Sequence, residues 1–175
     1  IIKNTLGDVD DLDNFYEYQL YCKNLNNSIQ HFNKAVSNAL KKSSQKHPID
    51  EIMEKNGNIE DRTNCCVFSI DPHGCQDFDD AFGFIETAEG YMVSIYIADV
   101  IVWIEHLELW ESFTERVSTI YFPDKKRPML PSILSDKLCS LQEGQRRFAF
   151  AMDIHIKKDE IIKIEYSKVL INVQK

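Results

Sequence analysis

Residues 65–100 read CCVFSIDPHGCQDFDDAFGFIETAEGYMVSIYIADV, and this stretch decides the fold. The runs CCVFSI, AFGFIE and YMVSIYIADV are short and rich in β-branched and aromatic residues, while TAEG at 87–90 has the composition of a turn. They predict a strand followed by a β-hairpin. Downstream, RFAFAMDIHI and IIKIEYSKVLINV flank the polar KKDE and predict a second hairpin that closes the chain. Between the two hairpins, Leu109, Phe113 and Val117 stand one turn apart, so Leu107 to Val117 reads as a helix, followed by a proline-punctuated loop from Pro123 to Pro131.

The first sixty or so residues carry a different pattern. Apolar residues fall at Phe15, Tyr18, Cys22, Leu25, Ile29, Phe32, Val36 and Leu40, steps of three and four that keep one helical face. The spacing predicts one long amphipathic helix. Asp8, Asp10, Asp11 and Asp13 suit its N-terminus, and Lys41, Lys42 and Lys46 suit its C-terminus. This stripe fits either a cover for the β core or a docking element for another protein chain. After His47-Pro48, Asp50 is the candidate cap of a short helix through Glu54, stopped at Asn56-Gly57. The fold class is therefore α+β, a mixed α/β chain with antiparallel hairpins and helices, preceded by a long amphipathic helix. Residues 1–60 form a helical extension and 61–175 the β-containing portion.

With 175 residues and 43% hydrophobic content the chain can bury the core of one domain, which excludes a disordered tail. The formal charge of -8 argues against nucleic acid as a partner if only the total is consulted. Its distribution argues otherwise. No Lys or Arg lies between Arg62 and Arg116, while the stretch from 116 to 147 carries Arg116, Lys125, Lys126, Arg127, Lys137, Arg146 and Arg147. An acidic block is followed by a basic one. The five cysteines form no CxxC pair and suit a reducing, intracellular compartment, cytoplasmic or nuclear. No apolar run approaches the roughly 20 residues of a membrane span. The chain begins at Ile1 rather than Met and reads as a piece of something longer.

Asp71, Asp77, Asp79 and Asp80 fall within ten positions, at the end of one predicted strand and the start of the next. Converging carboxylates repel one another unless cations neutralise them, and hard oxygen ligands suit Mg²⁺, with Mn²⁺ as the alternative. Asp77 and Asp79 point the same way if the segment is extended, and Pro72 and Gly74 allow a loop that returns Asp71 toward them. A metal held by a few carboxylates keeps positions for water and phosphate oxygens, as phosphodiester cleavage requires. A solvated acidic loop is the bland alternative, weakened by Phe78, Ala81 and Phe82 interleaving with the acids. An EF-hand counted from Asp71 places Gln76 and Phe82 where Gly and Glu are needed, so it fails. The letters DFDD also match a terpene-cyclase acid, but that motif belongs to an all-helical fold.

These residues resemble the catalytic domain of the RNase II family, the RNB domain. FSIDPHGCQDFDDAF matches its DPxxxxDxDDA signature, and YIADV, STIYFPDKKRPMLPSILSDKLCSL and RRFAFAM match later blocks in the same order. The resemblance covers roughly Asp61 to Val173. It implies a Mg²⁺-dependent exoribonuclease that degrades single-stranded RNA from the 3′ end and releases nucleoside 5′-monophosphates. It further implies that Asp71, Asp77, Asp79 and Asp80 hold metal, with Asp79 and Asp80 also catalytic, and that Tyr121 stacks on the terminal nucleotide. Arg116 and Arg147 occupy family arginines and are implied substrate contacts, whereas Asp99 fits a cap as well as a catalytic role. The chain departs from the family at Gln76 and Val102-Trp103, where many members have a basic residue and a Ser/Thr-His pair. The family domain also continues past this length, so the remainder of the catalytic domain is an implied partner. A noncatalytic RNA-binding or scaffold module with the same fold is the rival reading.

Overall fold

The structure is a computed structural model and describes residues 2, 5–42, 47–72, 78–88, 90–113, 116 and 118–174. Both expected hairpins are present. Strands β3 (Asp80–Thr87) and β4 (Gly90–Ala98) pair antiparallel, as do β7 (Arg146–Lys157) and β8 (Glu160–Asn172). Lys158 and Asp159 connect β7 to β8 with φ of 52° and 65°, the left-handed pair that a two-residue hairpin turn needs to match strand twist. Antiparallel pairing of β4 with β7 joins the hairpins edge to edge. Strand β2 (Val67–Phe68) extends the sheet beyond β3, and β1 (Ile59–Asp61) runs parallel to β8, giving the order β1-β8-β7-β4-β3-β2. The fold is thus mixed α/β with a mostly antiparallel sheet.

Strand alternation sends neighbouring residues into two different cores. Phe148 and Leu170 face a layer built by α2 (Gln30–Lys42), α3 (Pro48–Lys55) and α4 (Val100–His106), which contributes Phe32, Val36, Ile52 and Trp103. Ala149, Val169 and Ile171 face the other way, against Tyr96, Ala81 and Leu141. The sheet is also bolted by a buried ion pair: Arg62 donates to Asp153 through two bonds of 2.9 and 2.8 Å, and the Ser94 hydroxyl adds a third at 2.6 Å. Further along the first face the helices stop short. Phe84, Ile97, Phe150 and Tyr166 there are exposed, from Phe150 at 45% to Tyr166 at 62%.

The long N-terminal helix is a misreading, because the segment forms two helices, α1 (Leu12–Cys22) and α2, separated by Lys23 to Ile29. Asn24 adopts the left-handed conformation at φ 55°, and the run Asn24-Leu25-Asn26-Asn27-Ser28 supplies side chains that compete with helical hydrogen bonding. The apolar stripe was continuous only in sequence. Its α2 half is correct, with Phe32 and Val36 buried, but in α1 the buried residues are Tyr16 and Leu20, while Phe15, Tyr18 and Cys22 are exposed.

Three other expectations change. The helix assigned to Leu107–Val117 lies earlier, as α4, because Asp99 caps it by accepting from the amides of Ile101 and Val102. Glu108, at φ 53°, ends that run, and a 3₁₀ turn at Trp110–Ser112 follows, while Val117 lies outside the described residues. Helix α3 is capped by His47 Nδ1, with Pro48 in the first turn, instead of by Asp50. Finally, the proline-punctuated segment contains a small hairpin, β5 (Ile120–Tyr121) with β6 (Lys126–Arg127), followed by a π-helical segment at Ile133–Cys139.

Candidate active site

The acidic motif sits where β3 begins. Asp80 is the first residue of β3 and Asp79 precedes it; both are exposed, and the Asp79 carbonyl accepts from the amide of Ala98 at 2.9 Å. Asp71 lies next to the end of the described stretch at Pro72, partly buried, and its Oδ2 is buried with no hydrogen-bond partner among the described residues. An unpaired carboxylate oxygen out of water is costly, so it marks a place where a cation or proton donor would be favourable. Asp77, Gln76 and Gly74 lie outside the described residues. Among the described residues, no three His, Cys, Asp or Glu side chains come close enough to form a metal group. Of the four expected ligands, Asp79 and Asp80 are consecutive at the strand start, Asp71 precedes residues 73–77, and Asp77 is not described.

What fixes this segment is the chain that follows the π-helical turn. The amide of Phe78 donates to the Ser140 hydroxyl at 3.2 Å, and the carbonyl of Phe78 accepts from the amide of Leu141 at 2.8 Å. Ser140 is in turn held by Arg147, whose Nε donates to the Ser140 carbonyl at 2.8 Å while Nη2 reaches the Lys137 carbonyl at 2.7 Å. A third bond joins Nη1 to the Arg146 carbonyl at 2.9 Å. Arg147 is 8% exposed, and burial holds its guanidinium below the usual arginine range. The same dry surroundings push the neighbouring Cys139 thiol up to about 12, so it stays protonated and unreactive. Nothing in the spacing of RRFAFAM signalled this arrangement.

The remaining expected residues occupy a second place. Tyr121 is 75% exposed on β5, with its ring available to solvent. Arg116 Nε donates to the Asn27 carbonyl at 2.6 Å and Nη1 to the Pro128 carbonyl at 2.7 Å, so it ties the connection between α1 and α2 to the segment after β6. Trp103, 2% exposed in the first core beside Phe148, faces no substrate, and Val102 is buried with it. Asp99 takes the capping option left open by the sequence.

Comparison with known proteins rests on the same residues. The RNB domain family model matches residues 59–175, from β1 through β8, which includes the acidic motif and the Ser140–Arg147 support. The chain belongs to the RNB family. It is 37% identical over 118 residues to Exosome complex exonuclease RRP44 of Mus musculus, covering 66% of this chain and 12% of that protein. With Exosome complex exonuclease dis3 of Schizosaccharomyces pombe the identity is 35% over 150 residues, covering 82% of this chain and 16% of that protein. The chain thus spans less than a fifth of the length of these relatives. Among solved structures, Mycoplasma genitalium RNase R in complex with double-stranded RNA superposes with a TM-score of 0.73 at 22% identity, covering 98% of this chain and 30% of that one. That superposition takes in the helices before residue 59 as well as the sheet. Among the described residues, no helix is long and apolar enough to cross a membrane.

Proposed function

We propose that this chain carries the acidic part of the active site of a 3′-to-5′ exoribonuclease that hydrolyses single-stranded RNA to nucleoside 5′-monophosphates. The observation that carries the reading is the RNB acidic motif leading into β3, whose Asp71 has a buried Oδ2 with no hydrogen-bond partner among the described residues. Such an orphaned oxygen fits a site for Mg²⁺ or Mn²⁺, held by Asp71, Asp77, Asp79 and Asp80. When bound, a divalent ion neutralises phosphate charge and lowers the pKa of water.

The chain's own residues would do the rest. Asp79 and Asp80 would hold the attacking water by accepting hydrogen bonds from it; as its oxygen bonds to phosphorus the water gives up one proton, the bond to the 3′ oxygen of the preceding ribose breaks, and that oxygen gains a proton. Tyr121 offers an exposed ring on which a base stacks without sequence preference. Arg116 and Arg147 already engage backbone carbonyls, and this supports a role in shaping the walls of the RNA site in addition to any contact with phosphate.

Asp79→Asn in the full-length protein should abolish release of nucleoside 5′-monophosphates while leaving RNA binding in place. Undiminished release would overturn the assignment. The rival reading, an RNA-binding module that keeps the RNB fold without catalysis, draws on the absence of a three-ligand group among the described residues. Retention of RNA with no nucleotide release by the unmutated full-length protein, in Mg²⁺ or Mn²⁺, would select it.

A further inference from the structure

Between α1, the start of α2 and the β5–β6 hairpin lies a cleft of about 460 Å³. Arg116, Lys125, Lys126 and Arg127 line it, with the aromatic pair Tyr16 and Phe122 forming one wall. Those two rings stack with centroids 4.2 Å apart, and the Tyr16 hydroxyl donates to Asp124 Oδ1 at 2.9 Å. Four cations concentrated around one opening repel one another. The effect is visible at Arg116, whose guanidinium is held below the usual range by burial and then by the charge of Arg127, with Glu17 acting in the opposite direction.

Compensating anions come from α1 and, at Asp124, from the hairpin itself. Asp13 pairs with Lys125 and Glu17 with Arg127, while Lys125 also stands 5.2 Å from the centre of the Tyr16 ring. The donor set is not fully satisfied, because Arg127 Nε is buried without a hydrogen-bond partner among the described residues. These are long, flexible ion pairs at least partly exposed to water, each worth little by itself. An RNA backbone presents the same chemistry, a row of anionic oxygens, with the added gain of released counterions.

We infer that α1 acts as an internal polyanion, its Asp13 and Glu17 carboxylates occupying a phosphodiester-binding cleft on the β5–β6 hairpin that single-stranded RNA must take over to reach Tyr121. The inference rests on the RNA-binding reading above and adds to it a competitor encoded in the same chain. Tyr16 is the anchor of that competitor, since it contributes the stacking and the bond to Asp124 and carries no charge of its own.

Two measurements on the 175-residue chain test this, both in EDTA so that RNA is not hydrolysed. First, amide hydrogen exchange over residues 12–22 is followed with and without saturating oligouridylate. Faster exchange with RNA is expected, and unchanged or slower exchange would overturn the inference. Second, oligouridylate affinity is measured by fluorescence anisotropy at fixed salt. Tyr16→Ala should tighten binding by about fivefold or more, because the competent state is no longer a minority. Should Tyr16→Ala prove poorly folded, the isosteric pair Asp13→Asn with Glu17→Gln replaces it. Its control is Asp159→Asn with Glu160→Gln at the β7–β8 turn, which changes net charge equally without touching the cleft. Equal affinities for both double variants would overturn the inference while leaving the RNA reading standing. Failure of every protein to bind oligouridylate would overturn that reading and the inference with it.

Discussion

Replacing Arg147 by methionine should cost more stability than its position at the end of a strand suggests. The substitution keeps the length of the stem and removes a guanidinium that bonds three backbone carbonyls, those of Ser140, Lys137 and Arg146. The bond to Arg146 is local, and the other two join β7 to the π-helical segment. At about 1.5–3 kcal/mol for each bond from a charged donor, those two amount to about 3–6 kcal/mol. Relief from burying a cation offsets part of this, leaving a net loss of about 2–4 kcal/mol. Against a typical total of about 5–15 kcal/mol, such a change is easily resolved. Urea unfolding followed by the fluorescence of Trp103, which packs on Phe148, would report it. Because Ser140 and Leu141 hold Phe78, the loss should also loosen the start of β3, readable as faster amide exchange at Asp79 and Asp80. An Arg147→Met protein within about 0.5 kcal/mol of the parent, yet weakened at least tenfold for RNA, would refute the reasoning and make Arg147 chiefly a substrate contact.

The buried ion pair predicts a specific acid response. Burial pushes the Asp153 carboxyl up, but the bonds from Arg62 and Ser94 outweigh it and hold the group below its ordinary value. Its contribution is therefore complete above the unfolded value near pH 4 and disappears as pH falls through the lower folded one. Asp153→Asn should flatten the dependence of the urea midpoint on pH below roughly 4, and an unaltered acid limb would count against the account. The open sheet face should bind an apolar dye such as anilinonaphthalene sulfonate. Phe150→Ser with Tyr166→Ser should cut that signal by about half or more, since both side chains are largely exposed there. Undiminished dye fluorescence would place the binding elsewhere.

The two hairpins were legible because their signal is local: alternation along each strand and turn residues between them. The acidic motif was legible for a related reason, as three of its four acids lie within four consecutive positions, 77–80. The break between α1 and α2 was missed because Leu25 and Ile29 kept the apolar count going through a run of asparagines. The phase of α1 followed from that error, so Tyr16 was passed over in favour of Phe15 and Tyr18. Helix α4 was hidden inside an apolar stretch that reads equally well as strand, and only the cap at Asp99 separates the two. The support supplied by Arg147 had no periodic signature at all. Its acceptors are carbonyls, which every residue possesses, and their availability depends on the π-helical turn that ends at Cys139.

The parallel pairing of β1 with β8 has a consequence for the order in which the molecule is made. Ile59, Glu60 and Asp61 find their partners at Lys168, Val169 and Leu170. Arg62, the residue after β1, meets Asp153 only once β7 exists. On the ribosome, the segment emerging first must therefore wait for the one emerging near the end of this stretch, a long loop closure of the kind that slows folding. During that interval α2 and α3 have no sheet to cover, and Phe32, Val36 and Ile52 stay exposed to whatever binds nascent apolar chain.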